Sequence, residues 1–126
     1  MRKKPLRIMV IDDESIVGKR LQPALSKEGD IVETFESGEA ALARYEEESF
    51  DIVVTDIRMD EIDGLEVLEQ VLEKSDRTKV IIITGYATVE VAREALSKGA
   101  FDFIAKPFKP RDLRAIIERA AAQLST

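Results

Sequence analysis

Five short segments rich in valine and isoleucine recur along the chain, and they constrain its fold more than any other feature. Two of them, Met9-Val10-Ile11 and Val80-Ile81-Ile82-Ile83, are apolar without alternation. Parallel strands that are covered by helices on both faces have this pattern. The five strand candidates are Leu6–Ile11, Ile31–Phe35, Ile52–Thr55, Val80–Thr84 and Phe101–Ala105.

The segments between and after these strands have apolar residues at helical spacing. Two helices are predicted at Ser37–Glu48 and at Thr88–Lys98, where Thr88 would cap the helix and Gly99 would end it. The alternation of strands and helices with short connections predicts an α/β fold with a doubly wound, five-stranded parallel sheet. Three more helices follow from apolar stripes at Val17, Leu21 and Leu25, at Leu65, Leu68 and Leu72, and at Leu113, Ile116, Ile117, Ala120 and Leu124.

Length and composition restrict the kind of protein. A chain of 126 residues without a linker-like segment predicts one domain over residues 1–126. The absence of cysteine and histidine excludes thiolate chemistry and leaves carboxylates, hydroxyls, lysine and arginine for any site. A net charge of −6 opposes direct binding to nucleic acid or anionic lipid. We therefore expect a cytoplasmic protein whose partners are proteins, with no membrane association.

Reactive side chains gather where the predicted strands end, which is where open α/β sheets bind their ligands. Neighbouring carboxylates need a compensating cation, and oxygen ligands favour magnesium, with manganese as a substitute. Magnesium commonly bridges carboxylates to a phosphate, so we expect a phosphoryl group as the ligand. A lysine ammonium would pair with one phosphoryl oxygen and a threonine hydroxyl with another. The strand ends are Asp12-Asp13, Asp56, Thr84-Gly85 and Lys106-Pro107.

These motifs together resemble those of a response-regulator receiver domain of two-component signal transduction, and the resemblance covers essentially the whole chain. It also includes a weaker similarity to receivers of sigma-54-dependent activators. Five separated motifs in one order are far more specific than any one of them alone. They are Val10-Ile11-Asp12-Asp13-Glu14, Thr55-Asp56-Ile57-Arg58-Met59, Asp63-Gly64, Thr84-Gly85 and Lys106-Pro107-Phe108.

The resemblance implies a role for each matching residue. Asp56 matches the phosphoacceptor nucleophile and a magnesium ligand. Asp13 matches the direct magnesium ligand, Asp12 a ligand acting through water, and the Arg58 backbone carbonyl a further ligand. With Lys106 and Thr84 as the phosphate-binding pair, the chain would be a phosphoacceptor switch that catalyses only its own phosphorylation and slow autodephosphorylation.

The resemblance further implies a flavodoxin-like strand order 2-1-3-4-5, a cis peptide between Lys106 and Pro107, and a phosphodonor. The donor would be the phosphohistidine of a histidine kinase or a phosphotransfer protein. Thr84 and Phe103 match the switch residues that change a surface made by the fourth helix, fifth strand and fifth helix. That surface is expected to contact a downstream effector or a second copy of the chain, with Arg93, Lys98, Asp102, Arg111 and Arg114 as candidates for salt bridges between chains.

Three alternatives bear on this interpretation. Asp12 and Asp13 are also suited to capping the first helix. A phosphatase of the haloacid dehalogenase type uses a similar nucleophile, threonine and lysine, but needs a second aspartate where this chain has Arg58. A receiver-like module that binds proteins without phosphorylation is the remaining alternative, and the intact site residues argue against it.

The chain departs from the family pattern at Asp60, where a proline is usual. The substitution removes a rigid element from the loop and adds a negative charge near the expected pocket. It is expected to change the loop conformation and the lifetime of the phosphorylated form, and Arg58 and Tyr86 are expected to influence that lifetime as well.

Overall fold

The computed structural model describes residues 4–59, 62–85 and 89–124, and in these ranges five strands alternate with five helices. The predicted strands and the two predicted helix ranges agree with the observed elements to within one residue at each described end. Asp60, Tyr86 and Thr88 lie outside the described residues. The strands are β1 Arg7–Ile11, β2 Ile31–Phe35, β3 Ile52–Asp56, β4 Lys79–Thr84 and β5 Asp102–Ala105. The helices are α1 Ser15–Ser26, α2 Gly38–Glu47, α3 Gly64–Lys74, α4 Val89–Ser97 and α5 Pro110–Leu124.

The strands form one parallel sheet in the order β2-β1-β3-β4-β5. This order confirms the predicted doubly wound, flavodoxin-like fold. In the register of the sheet, Ile11 pairs with Thr55, and Asp56 pairs with Ile83. Thr84 pairs with Ala105. The carboxyl ends of β1, β3, β4 and β5 therefore lie at one edge of the sheet.

Helices cover the sheet on both faces and bury it in two separate apolar cores. On one face, Ile8 and Val10 of β1 belong to the core that includes residues of α1 and α5. On the other face, Met9 and Ile11 belong to the core that includes residues of α2, α3 and α4. Because successive strand residues point to opposite faces, burial on both faces requires apolar residues at every position. This explains the unalternating strand segments.

Local signals in the sequence set the ends of several helices. Ser37 is the N-cap of α2, and its Oγ accepts a hydrogen bond of 3.1 Å from the Ala40 amide. Asp63 is the N-cap of α3, and its Oδ1 accepts from the Glu66 amide at 2.9 Å. Gly99 follows α4 with a φ of +105°, in the left-handed region that favours glycine. The predicted stop at Gly99 is confirmed.

Gly64 lets α3 begin directly against the end of β3. A Cβ atom at this position would lie 2.4 Å from the Asp56 carbonyl oxygen and 2.7 Å from the Ile57 Cα. The Gly64 amide also donates to the Ile57 carbonyl at 3.0 Å. Because backbone atoms of a buried strand cannot move aside, the loop after Asp56 depends on a glycine here.

We expect Gly64→Ala to destabilise the fold by about 2–3 kcal/mol, because the new methyl group overlaps backbone atoms of β3. Urea unfolding followed by circular dichroism measures the change. Gly85→Ala is the control, since a Cβ atom at Gly85 meets no atom within 4 Å in the described part of the chain. Equal stability of the two variants would contradict the proposed role of Gly64.

Candidate phosphoryl and metal site

Three aspartates converge at the carboxyl edge of the sheet, as the strand ends predicted. One carboxylate oxygen from each of Asp12, Asp13 and Asp56 lies within 4.8 Å of the others. Asp12 and Asp56 are only 2% and 6% exposed, whereas Asp13 is exposed. Two of the three charges are thus buried close together, which is unfavourable unless a cation neutralises them.

Lys106, which follows β5, provides that cation. Its Nζ lies 2.9 Å from Asp12 Oδ2 and 2.9 Å from Asp56 Oδ2. The Lys106 backbone amide donates to the Thr84 carbonyl at 2.8 Å, which ties the residue to the end of β4. The peptide between Lys106 and Pro107 is cis, as the family resemblance implied. The structure therefore joins residues from three strands in one ionic cluster.

A backbone amide holds the second oxygen of each buried aspartate. Asp12 Oδ1 accepts from the Glu14 amide at 2.9 Å, and Asp56 Oδ1 accepts from the Arg58 amide at 2.9 Å. Each carboxylate bonds the amide two residues later, which fixes its orientation. The N-cap of α1 is Glu14, so the alternative in which Asp12 or Asp13 caps that helix is wrong.

The pKa values follow from burial and from the shared ammonium. Burial raises the pKa of Asp12, while the Glu14 amide and Lys106 act in the opposite direction and the charge of Asp56 raises it further. Burial alone would lower the pKa of Lys106, but its contacts with the carboxylates of Asp56, Glu14 and Asp12 outweigh that effect and raise it. Lys106 therefore stays charged at neutral pH. Its single positive charge lies among three carboxylates.

The residues of this cluster fit a bound magnesium ion. Asp12 Oδ2 is buried and has no hydrogen bond, since its contact with Lys106 has ion-pair distance without hydrogen-bond geometry. Asp13 presents a third carboxylate from the exposed side. A set of carboxylate oxygens with no nitrogen or sulfur ligand is the chemistry that hard divalent cations prefer. The Arg58 amide bonds to Asp56 Oδ1, so the Arg58 backbone lies next to this set of oxygens.

The two predicted switch residues lie close to the cluster along the chain. Thr84 is the last residue of β4 and is buried, and its carbonyl accepts from Lys106. Phe103 lies in the edge strand β5, where it pairs in register with Ile82 and packs, half-buried, against the core on the α2, α3 and α4 face. Phe103, in the strand of the predicted contact surface, thus lies three residues before Lys106.

Sequence reasoning assigned no role to Glu14, although it belongs to the quoted motif. Its Oε1 lies 2.9 Å from Lys106 Nζ, so it is the third carboxylate on the ammonium. Glu14 and Lys106 also line a cleft of about 450 Å³ between α1 and the start of α5. No pattern in the sequence indicates this contact, because the two residues lie 92 positions apart.

We expect Lys106→Met to destabilise the metal-free protein, because the buried Asp12 and Asp56 lose their cation. Magnesium should then raise the melting temperature by more in this variant than in the unsubstituted chain, since metal binding relieves a larger repulsion. Differential scanning calorimetry with and without magnesium measures both effects. Lys109→Met is the control because Lys109 is exposed. An equal response of both variants would show that Lys106 does not neutralise the cluster.

Comparison with known proteins places this site in a family. The family model described as the response regulator receiver domain matches residues 8–118. The regulatory protein AtoC of Escherichia coli K12 is 40% identical over 114 residues, which cover 90% of this chain and 25% of AtoC. The chain spans about a quarter of the length of the curated relatives it matches.

Solved structures agree with this match. The CheY-like receiver domain protein of Methanospirillum hungatei is 33% identical with a TM-score of 0.87, over 95% of this chain and 97% of that one. The beryllofluoride-activated NtrC4 receiver domain dimer is 31% identical with a TM-score of 0.88, over 94% and 98%. These matches confirm the family resemblance, including its sigma-54-activator branch. The chain belongs to the response-regulator receiver domains of two-component signal transduction.

Proposed function

We propose that the chain receives a phosphoryl group on Asp56 and keeps it as an acyl phosphate. The observation that carries this proposal is the bond from Lys106 Nζ to Asp56 Oδ2, at the centre of an oxygen-lined cluster. Asp56 has one oxygen fixed by the Arg58 amide and the other on the ammonium. A carboxylate held in this way presents a defined nucleophilic oxygen beside a positive charge.

The phosphodonor we propose is the phosphohistidine of a histidine kinase or of a phosphotransfer protein. Histidine does not occur in this sequence, so the donor imidazole comes from another chain. An Asp56 oxygen attacks phosphorus, the phosphorus–nitrogen bond breaks, and the imidazole leaves. Lys106 donates to one oxygen of the transferred group and the Thr84 hydroxyl to another, which offsets the negative charge.

Asp13, Asp56 and the Arg58 carbonyl are the proposed direct magnesium ligands, and Asp12 is proposed to act through water. The ion, for which manganese is a substitute, neutralises charge on the phosphoryl oxygens when it is bound. The residue two positions after Asp56 is Arg58, so no carboxylate there activates water. We therefore infer slow autodephosphorylation and no turnover of other substrates.

Asp56→Asn should abolish phosphorylation, because a neutral amide is not a competent nucleophile. The measurement is intact-mass spectrometry after incubation with magnesium and acetyl phosphate. The unsubstituted chain is expected to gain one phosphoryl group only when magnesium is present.

Asp63→Asn is the matched control, because Asp63 lies at the other end of the same loop and asparagine also caps helices well. This variant should still gain the group. A gain that persists in Asp56→Asn would identify a different acceptor. No gain in the folded, magnesium-bound chain would favour a receiver-like module that acts without phosphorylation.

We further propose that Thr84 and Phe103 connect phosphorylation to the surface formed by α4, β5 and α5. Phe103 is half-buried in an edge strand, so a small change in packing can expose or bury its ring. On α4, Val89 and Leu96 are exposed apolar residues that a partner could cover.

The charged residues of this surface are largely paired within the chain. Lys98 lies 2.7 Å from Glu69 of α3, and Asp102 pairs with Arg119 of α5. Arg114 donates to a backbone carbonyl of α1. A salt bridge between chains at any of these residues would first require an internal contact to break, so Arg93 and Arg111 are the better candidates.

The proposed partners are a downstream effector protein or domain and a second copy of this chain, and one receiver domain over residues 1–126 in the cytoplasm is the unit that acts. The net charge of −6 argues against direct contact with nucleic acid. Across the described ranges, every helix is too short or too polar to cross a membrane. The NtrC4 receiver, a structural relative, is described as a dimer.

Beryllofluoride with magnesium should convert the chain from monomer to dimer, and Leu96→Gln should weaken that dimer about tenfold or more by removing an apolar contact. Light scattering after size exclusion, over a series of concentrations, measures the effect. Ile16→Gln is the control, since Ile16 is an exposed apolar residue on α1. Equal weakening by both substitutions would contradict the α4, β5 and α5 surface as the dimer contact.

A further inference from the structure

Glu14 occupies a capping position without acting as a cap. It is the N-cap residue of α1 with extended backbone, and its side chain makes no capping hydrogen bond. A serine or aspartate there would stabilise the helix by accepting a hydrogen bond from an amide of its first turn. The Glu14 carboxylate instead reaches Lys106, with 2.9 Å between Oε1 and Nζ.

Glu14 is attached to the acidic cluster without being one of its three converging carboxylates. Its backbone amide donates to Asp12 Oδ1 at 2.9 Å. Its side chain is 62% exposed, and the group that could hold a metal consists of Asp12, Asp13 and Asp56. Glu14 therefore acts on the cluster through the ammonium of Lys106.

Three carboxylates compete for the ammonium in this arrangement. Nζ donates hydrogen bonds to Glu14 and Asp56, and Asp12 Oδ2 forms an ion pair with it at 2.9 Å. Under the proposed function, Lys106 has to donate to an arriving phosphoryl oxygen, so that oxygen competes with these carboxylates for the ammonium. The exposed Glu14 can be released most easily, because water replaces its lost bond.

We propose that Glu14 is a positioning residue that holds Lys106 while the site carries no phosphoryl group. Its negative charge attracts a divalent cation to the cluster. It also offsets part of the positive charge of Lys106, which would otherwise neutralise Asp12 and Asp56 more completely. The same charge repels an incoming phosphoryl group and competes with it for Lys106. Glu14 thus strengthens the binding of magnesium and weakens the binding of a phosphoryl group.

A cleft exposes the contact between Glu14 and Lys106 to solvent. The cleft has a volume of about 450 Å³ and is also lined by Gly85, which has no side chain to obstruct it. Its walls include the apolar Val17 and Phe108. Solvent in this cleft can therefore replace Lys106 as the hydrogen-bond partner of a released Glu14 carboxylate.

Glu14→Gln tests the proposal, because it removes the charge and keeps the size of the side chain. Magnesium alone is titrated calorimetrically into the metal-free protein, and beryllofluoride is then titrated at saturating magnesium. We expect weaker magnesium binding and tighter beryllofluoride binding, each by roughly two- to fivefold, the effect of one partly exposed charge.

Glu73→Gln is the matched control, since Glu73 is an exposed residue near the end of α3 and its loss changes the net charge equally. Opposite shifts in Glu14→Gln that are absent from Glu73→Gln would support the proposal. Equal shifts in both variants, or weaker binding of both probes by Glu14→Gln, would overturn it. The proposal rests on the proposed function, and failure of the unsubstituted chain to bind beryllofluoride would overturn that function first.

Discussion

The functional edge of this molecule depends on one ammonium group shared by buried carboxylates. Asp12 and Asp56 come from β1 and β3, whereas Lys106 follows β5, and the sheet order places β4 between β3 and β5. Adjacent strands are about 4.8 Å apart, so the lysine side chain has to cross the end of β4. The residue after that strand is Gly85, where even a Cβ atom would meet no atom within 4 Å in the described part of the chain, so the crossing is open. The neutralisation of the buried carboxylates therefore depends on the order of the strands.

The rest of the fold keeps that edge rigid. All five residues of β3 are buried, and a glycine at position 64 brings α3 against the carbonyl of Asp56. Backbone amides two residues beyond Asp12 and Asp56 fix one oxygen of each carboxylate. The cores on the two faces hold the strands in register, so the carboxylates cannot separate to relieve their repulsion. The site consequently retains an excess of negative charge that a divalent cation can relieve.

The sequence predicted the elements well because their signals are local. Apolar runs marked the buried strands, Ser37 and Gly99 marked helix ends, and the strand ends located the three aspartates and Lys106. The contact between Glu14 and Lys106 was not predictable, because it depends on which side-chain conformers meet across 92 positions. The ion pairs of Lys98 with Glu69 and of Asp102 with Arg119 were missed for the same reason. The capping alternative for Asp12 and Asp13 was wrong because a side chain that bonds the amide two residues later resembles a cap in sequence.

The same lysine also connects the site to the proposed contact surface. Lys106 lies one residue beyond β5, an edge strand that pairs with β4 alone and is half-buried along its length. An edge strand has fewer packing partners than a central one, so it can shift at lower free energy. Under the proposed function, a phosphoryl group that takes the ammonium from Glu14 would pull on the strand that carries Phe103. A change of charge at the rigid carboxyl edge would thereby become a change of packing at an edge strand of the sheet.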